Sequence, residues 1–413
     1  MTDILKKRVR GDVVAHQSIK GPFTQGLRYQ DFSDVEIIDV SLSDAPDAEQ
    51  GFRFHGARHP PSLKVENQLF NLIMRGCTVE RVGGDGIYAT GVNGALIQNC
   101  KVVVSSGKVA DGCQFAYQND DRFISRDVWL RGNIFTYATD TESAKGALVC
   151  AETENYKAEY CLLEGHNFAY SSIGNNAMTR SCLMRTGEMN NYSFGYGVGS
   201  FSHLHDHHLY DCFIENARRA VAITGFKDKD MVLDGITGAQ RGGMVIHDNI
   251  LSGCDIGFFA DRPWSGSVYR NIFMKCKEPV VIRAFGTQVV TSNARRGQVM
   301  GPIYTNDGSF LCTEVPEIKR SENGVLSVTG GRWSSQPEQV SYIWRESGID
   351  LMVPQTPTFK PDKAGEYSCV VLARAGSNWM LAVAEASWPK DGFIPRSWKD
   401  GNLTWGNRYH IIH

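Results

Sequence analysis

A short motif that recurs eight times is the feature of this sequence that most constrains its fold. In each copy a Cys or Asn follows a turn residue and precedes apolar residues, between roughly residues 34 and 290. Successive copies lie 21 to 37 residues apart. This spacing is typical of solenoid coils with loops inserted in some turns. The eight positions are Cys77, Cys100, Asn133, Cys161, Cys182, Cys212, Asn249 and Asn271.

A second element precedes the motif: a short strand that often begins with Gly, as in Gly86–Tyr88. In the clearest coil it is followed by 95–97, by the Asn99-Cys100 bend and by 102–104. The pattern predicts three short strands per coil, which pair in parallel with the same strands of neighbouring coils. The Cys residues at the bends are then expected to be buried packing rungs rather than ligands or nucleophiles.

Composition excludes several classes of protein. The chain has 413 residues, 42% apolar and 21% charged, with a net charge of −2, so it is neither disordered nor basic enough for nucleic acid. No run of 18 apolar residues occurs, and no apolar segment follows the basic N-terminus. We therefore expect neither a membrane span nor a signal peptide. The 11 cysteines, an odd number, lack Cys-x-x-Cys spacing and are expected to be reduced.

The repeat resembles the right-handed parallel β-helix of the pectate lyase superfamily, which includes polysaccharide lyases, glycosidases and bacteriophage tailspikes. The resemblance covers about 250 residues and implies that an extended glycan binds in a groove along the first-strand sheet, walled by inserted loops. The expected domains are an N-terminal cap at 1–33, the β-helix at 34–312 and a linker at 313–323, followed by a second module at 324–413.

The second module looks like a small immunoglobulin-like β-sandwich. Trp344 stands where such domains carry a core tryptophan, and Tyr367 precedes Cys369 by two residues. The expected partner cysteine is missing about a dozen residues before Trp344, so no inter-sheet disulfide is expected. A Trp-rich tail with Trp388, Trp398 and Trp405 ends the chain.

Acidic residues on neighbouring coils are the first catalytic candidates, because glycoside cleavage needs paired carboxylates or a base beside a neutralised uronate. Aligning Gly112 with Gly146 places Gln118 beside Glu152 and Asp120 beside Glu154, with Asp121 next to them. These carboxylates are candidates for acid, base or calcium ligands. No cofactor is required, and calcium remains one option.

Histidines form the second candidate, since residues 203–208 contain four of them. His203, His205 and His207 alternate, which predicts that they share one strand face. His205 could then act as the base of a lyase, with Asp206 fixing its tautomer. The substrate-binding candidates in this and other coils are Gln118, Tyr192, Tyr196, Lys227, Asp261, Arg262 and Trp264.

Two functions follow from these patterns. The first is an enzyme, a lyase or an endo-glycosidase, that acts on an acidic polysaccharide. The alternative is a non-catalytic glycan-binding or structural tail protein. Both fit a tailspike setting on a virion surface or outside the cell, after folding in a reducing cytoplasm. No nucleic-acid or membrane partner is expected. The resemblance to tailspikes implies a homotrimer as one candidate assembly.

Overall fold

The protein is all-β. The computed structural model describes residues 4–56, 62–65, 68–104, 110–116, 124–138, 144–186, 192–196, 204–223, 241–260, 266–283, 297–329 and 331–385. Side chains at 144, 145, 152, 173, 192–196, 204, 205, 241 and 242 are outside this description. Every regular element in the described ranges is a β-strand. None of these residues forms a helix long and apolar enough to cross a membrane.

Three parallel ladders run through residues 4–306, which we call the ladder region. Ladder 1 contains β1 (Ile4–Lys7), β4 (Gln25–Gln30), β7 (Gln50–His55), β12 (Asp85–Thr90), β15 (Ala110–Ala116), β18 (Ala144–Glu159), β20 (Phe168–Arg180), β22 (Tyr192–Tyr196), β26 (Arg219–Ile223), β30 (Ile256–Ala260) and β33 (Glu278–Ile282). Ladder 2 contains β2 (Arg10–Ala15), β5 (Ser33–Ile38), β10 (Leu72–Arg75), β13 (Asn93–Gln98), β16 (Arg126–Arg131), the second halves of β18 and β20, β24 (His207–Tyr210), β28 (Met244–His247), β31 (Gly266–Tyr269) and β34 (Gln298–Val299). Ladder 3 contains β3 (Ser18–Lys20), β6 (Ser41–Ala45), β11 (Thr78–Val82), β14 (Lys101–Val104), β17 (Ile134–Tyr137), β19 (Leu162–Gly165), β21 (Leu183–Thr186), β25 (Phe213–Glu215), β29 (Ile250–Ser252), β32 (Ile272–Met274) and β35 (Tyr304–Asn306).

These ladders are consistent with the expected parallel β-helix. The chain visits ladders 1, 2 and 3 in turn, and β18 and β20 run through both of the first two. Small, branched and aromatic side chains of all three ladders form one continuous buried core. Two short pairs lie outside the ladders: β8 (Leu63–Val65) with β9 (Gln68–Phe70), and β23 (Leu204–His205) with β27 (Arg241–Gly242).

The recurring Cys and Asn residues stand at the corner between ladders 2 and 3. The residue before each one has a positive φ, for example 54° at Asn99 and 57° at Asp211, which turns the chain sharply. The residues after them pair in register from β11 to β32. Cys77, Cys100, Cys161, Cys182 and Cys212 are buried free thiols, so the prediction of packing rungs is confirmed.

The Gly-led strands belong to ladder 1, where adjacent backbones approach closely. A Cβ at Gly86 would lie 2.7 Å from the carbonyl oxygen of Gly112, so a larger side chain would force the coils apart. The alignment of Gly112 with Gly146 is wrong by one residue. Asp111 pairs with Gly146 because the register shifts by one between Ala110 and Asp111.

The ladders begin within the segment that was expected to be a cap. Strands β1, β2 and β3 pair with β4, β5 and β6 of the next coil. The end of this stack carries a half-buried ion pair: Nζ of Lys6 and the hydroxyl of Tyr29 each donate to the carboxylate of Asp12 at 2.6 Å. Residues 4–20 therefore contribute the first coil of the stack, with Val14 in its core and a partly exposed ion pair beside it.

Residues 307–385 form a module of antiparallel strands, here called the C-terminal module. Its strands are β36 (Cys312–Glu314), β37 (Glu317–Arg320), β38 (Leu326–Thr329), β39 (Arg332–Trp333), β40 (Gln339–Glu346), β41 (Ile349–Asp350), β42 (Thr358–Phe359), β43 (Tyr367–Ala375) and β44 (Asn378–Glu385). The largest sheet has the order β41-β40-β43-β44. The segment 313–323, expected to be a linker, carries β37 and most of β36. Its polar residues point outward from paired strands. The tail at 386–413 lies outside the described residues.

The C-terminal module packs directly on the ladder region. Phe213, Ile250 and Ile272, which point outward from ladder 3, belong to one buried cluster with residues of the module. The module contributes Phe310, Cys312, Val370, Leu372, Ala373, Met380, Leu381, Ala382 and Val383 to this cluster. Because the shared core is apolar and continuous, the two parts form one packed body over this contact.

Candidate functional site

A groove on the outer face of ladder 2 is a concave surface whose lining includes the Trp129 side chain. It has a volume of about 300 Å³. The β8–β9 hairpin, inserted between β7 and β10, forms one wall. The hairpin is held there because Phe70 packs on Ile73 and Leu96 of ladder 2. We call this surface the hairpin groove; it is lined by Gln68, Leu69, Phe70, Asp127, Val128, Trp129, Asn155 and Lys157.

Trp129 is a partly exposed aromatic side chain of the hairpin groove, and hydrogen bonding fixes its orientation. Its indole N–H donates to the Glu159 carboxylate at 2.6 Å. The same carboxylate accepts a hydrogen bond of 2.7 Å from Nε of Arg180. The Arg131 guanidinium lies 4.8 Å from the Trp129 ring centroid. A partly exposed, oriented indole of this kind can stack on the apolar face of a sugar ring.

A row of exposed polar side chains from successive coils begins in the groove beside Trp129 and continues past it to Asn176. Asp127, Asn155 and Asn176 each stand at the corner between ladders 1 and 2, with φ values of 53°, 49° and 52°. Asp and Asn tolerate this left-handed backbone better than other residues with side chains. The Asn155 amide donates to Asp127, and the Asn176 amide donates to Asn155 at 3.3 Å. The row offers acceptors and donors suited to sugar hydroxyls.

Lys157 adds a positive charge to the groove. It stands one strand from Trp129 in ladder 2, and its ammonium lies 5.8 Å from the indole centroid. None of the described carboxylates forms an ion pair with it. An aromatic platform, polar side chains and a cation together suit a sugar that carries an anionic group.

The predicted acidic cluster is only partly visible. Gln118, Asp120 and Asp121 lie outside the described residues. Glu152 lies in β18, but its side chain is outside the description. Glu154 belongs to ladder 2, where it pairs in register with Arg126 and accepts from its Nε at 2.8 Å.

The expected histidine face is interrupted. Asp206 has a φ of 57°, so the chain turns between β23, which ends at His205, and β24, which begins at His207. His207 is buried, with Ser172 3.3 Å from its Nδ1 and the carbonyl of Gly174 at its Nε2. His207 therefore faces the core, whereas His203 and the side chain of His205 lie outside the description. Asp206 itself is exposed.

Other predicted residues cannot be placed in the site. The side chains of Tyr192, Tyr196 and His205 fall outside the description, although their backbones lie in β22 and β23. His203 and the remaining substrate-binding candidates lie outside the described residues. These are Lys227, Asp261, Arg262 and Trp264.

Sequence reasoning missed Trp129 and its neighbours. The alternation Asp127-Val128-Trp129-Leu130, with Val128 and Leu130 buried, could have identified Trp129 as an outward aromatic residue. The hairpin wall could not have been found in this way, because its position depends on packing between residues far apart in sequence.

A second charged row lies on ladder 3. Arg185 donates from Nε to Glu164 at 3.0 Å and lies 3.8 Å from Glu215 through Nη1. Burial raises the pKa of Glu215; Arg185 opposes this shift, and Glu164 adds to it. Because one guanidinium serves both carboxylates, the row is a shared ion-pair network.

Metal ligands do not converge in the part of the chain that the structure describes. No group of three His, Cys, Asp or Glu side chains there has the geometry to hold an ion. The carboxylates that were proposed as calcium ligands include residues outside the described ranges.

Comparisons with known proteins give structural neighbours without a family. No family model and no curated protein matches the chain. The Dettilon tailspike protein matches with 11% identity and a TM-score of 0.28, over 92% of this chain and 84% of its own. The enzymatically active domain of tailspike protein 2 from bacteriophage CBA120 matches with 7% identity and a TM-score of 0.23, over 95% and 67%. At these TM-scores the neighbours carry no argument about function.

Proposed function

We propose that this protein binds and degrades an acidic polysaccharide, as a lyase or an endo-glycosidase of the tailspike type. The hairpin groove is the observation that carries the proposal. It combines an oriented indole, a row of polar side chains along the stack and the positive charge of Lys157. A repeating polymer suits a surface whose groups repeat along the coils, since adjacent strands lie about 4.8 Å apart.

A non-catalytic role is the second candidate. Asp127, the one carboxylate among the described residues that line the groove, accepts a hydrogen bond from Asn155. Nearby Glu154 is neutralised by Arg126. A surface with such features binds sugars without needing to cleave them. Under this alternative the protein is a glycan-binding fibre or adhesin.

The C-terminal module is proposed to be immunoglobulin-like. Trp344 is buried and pairs in register with Cys369. The hydroxyl of Tyr367 donates to the carbonyl oxygen of Lys363 at 3.1 Å, four residues upstream. This bond matches the tyrosine corner of such sandwiches. Attachment to a virion is a further proposal. Assembly as a homotrimer is another, and the mass of the native protein in solution tests it.

The test is a panel of acidic capsular, alginate and pectic polysaccharides, with a neutral glucan as the control. Ultraviolet absorbance of unsaturated uronate ends and reducing sugar are followed together, with and without a calcium chelator. Both signals rising indicates a lyase, and reducing ends alone indicate a hydrolase. Loss of either signal with chelator assigns a role to calcium. Binding without cleavage favours the adhesin, and no binding to any acidic glycan contradicts the proposal.

A further inference from the structure

Two arginines lie side by side on the outward face of ladder 1, away from the hairpin groove. Arg28 of β4 pairs in register with Arg53 of β7, and Tyr88 of β12 follows Arg53. Neighbouring strands are about 4.8 Å apart, and like charges directly opposite each other are destabilising. The arrangement therefore needs a reason beyond packing.

Arg53 is held in one orientation by its neighbours. Its Nε donates to Nε2 of His55 at 2.7 Å, and Nδ1 of His55 lies 2.9 Å from the Thr90 hydroxyl. Since Nε2 accepts from a guanidinium, His55 is neutral here and its proton is on Nδ1. Nη1 of Arg53 donates to Gln50 at 3.2 Å. Among the described residues, Nη2 has no acceptor.

Arg28 is less satisfied than Arg53. Its Nε is buried and has no hydrogen-bond partner in the described part of the chain. Glu49 is a poor counter-ion for the pair, because it lies 4.0 Å from Arg53 and is 62% exposed. Its carboxylate also accepts from Gln25 at 3.1 Å. Burial lowers the pKa of Arg53, and the charge of Arg28 lowers it further.

We propose that Arg28 and Arg53 form a binding site for one anionic group, either the carboxylate of a uronic acid or a sulfate ester. An anion between the two guanidinium groups removes their repulsion and accepts charge-assisted hydrogen bonds from both. The glycan as carrier of that anion rests on the proposed function, whereas the anion site itself does not. Tyr88 lies next to Arg53 on the adjacent strand of ladder 1, with its ring centroid 5.8 Å from the Arg53 guanidinium carbon.

Calorimetric titration of the full chain tests the site, with sodium galacturonate, inorganic sulfate and neutral galactose at constant ionic strength. We expect one anion per chain and no galactose binding. Arg28→Gln and Arg53→Gln should each weaken anion binding about tenfold or more, because each loses a charge-assisted bond. Arg10→Gln is the matched control, because Arg10 lies in the adjacent first coil and already pairs with Asp31 at 2.9 Å.

The outcomes separate the two sources of the anion. Preference for galacturonate indicates a uronate, and preference for sulfate indicates a sulfate ester; either supports the site. Equal anion binding by wild type and both variants, or no anion binding by wild type, overturns it. Arg28→Lys guards against misfolding, since it keeps the charge and should bind with intermediate affinity. Anion binding that persists while polysaccharide binding fails would contradict the proposed function alone.

Discussion

Arg345 of the C-terminal module donates from Nη2 to Oδ2 of Asp211 in the ladder region at 2.7 Å, across 134 residues of sequence. The two side chains are 0% and 4% exposed. Nη1 of Arg345 reaches the other oxygen of Asp211 at 3.0 Å and Asp248 at 3.2 Å. Arg270 completes the network by binding both Asp248 and Asp350. The module is thus fixed to the ladders by a buried ionic network beside an apolar contact.

Removing Arg345 should be costly. Arg345→Met leaves the buried carboxylate of Asp211 without its partner and removes one of the hydrogen bonds to Asp248. Such a loss typically lowers the free energy of unfolding by about 3–5 kcal/mol. We expect a large decrease in the free energy of unfolding by urea and faster proteolysis between the two parts. Arg332→Met is the control, because Arg332 is 80% exposed and pairs with the exposed Glu314. Its loss should cost about 1 kcal/mol or less. Equal effects of the two variants would contradict the role of the network.

Stability should fall in acid through Asp248. Burial alone would raise the pKa of Asp248, but hydrogen bonds from Arg270 and His247, and their charges, lower it below its ordinary value. A carboxyl whose pKa is lower in the folded state stabilises fully above its unfolded pKa of about 4. That contribution is lost as the pH falls towards the folded pKa.

The measurement is the midpoint of urea unfolding between pH 7 and pH 2.5. Wild type should lose stability steeply below about pH 4. Asp248→Asn should be less stable at pH 7 and show a shallower decline in acid. Asp362→Asn, at an exposed position, should follow the wild-type curve. A wild-type slope in Asp248→Asn would show that other carboxyls control the acid transition.

The Asn rungs should matter more for stability than their small size suggests. Asn133 is fully buried; its Oδ1 accepts from the Cys100 amide at 2.9 Å, and its Nδ2 donates to the Ile97 carbonyl at 2.8 Å. Asn133→Ala strands both backbone groups, at about 1–3 kcal/mol each. Unfolding free energy is the readout, and exposed Asn323→Ala should change it by no more than about 0.5 kcal/mol. A small effect at Asn133 would mean that water replaces the amide.

Trp129 should determine affinity for the polysaccharide identified by the panel. Trp129→Ala removes the stacking surface, and we expect binding about tenfold weaker, equivalent to about 1.4 kcal/mol. Trp129→Phe keeps an aromatic ring and should retain most of the affinity. Lys157→Gln should weaken binding to acidic glycans only, and this difference should shrink as salt is added. Unchanged affinity in Trp129→Ala would place the glycan elsewhere on the molecule.

The repeat was predictable because its cause is local and periodic. At each corner a residue with a left-handed backbone conformation is followed by a small buried Cys or Asn, as at Asn99-Cys100 and Asp211-Cys212. Each coil makes the same sharp turn at this corner. The same residue types therefore recur in the sequence once per coil. The register between coils was less accessible. Between Ala110 and Asp111 of β15, the partner strand β18 contains one extra residue. This single residue makes the alignment of Gly112 with Gly146 wrong.

The candidate sites depended on contacts between distant residues. His207 fits an outward alternation by sequence, yet the turn at Asp206 directs it into the core beside Ser172. The sequence around Trp129 shows only an outward strand residue. The groove forms because the hairpin that carries Phe70 packs beside it.

The sequence by itself determined an all-β chain of stacked coils, because strand period, corner residues and glycine placement act within one coil. Only the tertiary structure decided which outward residues meet. Arg28 meets Arg53 across 25 residues, and Arg345 meets Asp211 across 134. Which residues become neighbours depends on every loop length and strand register between them. A local sequence pattern does not contain this information.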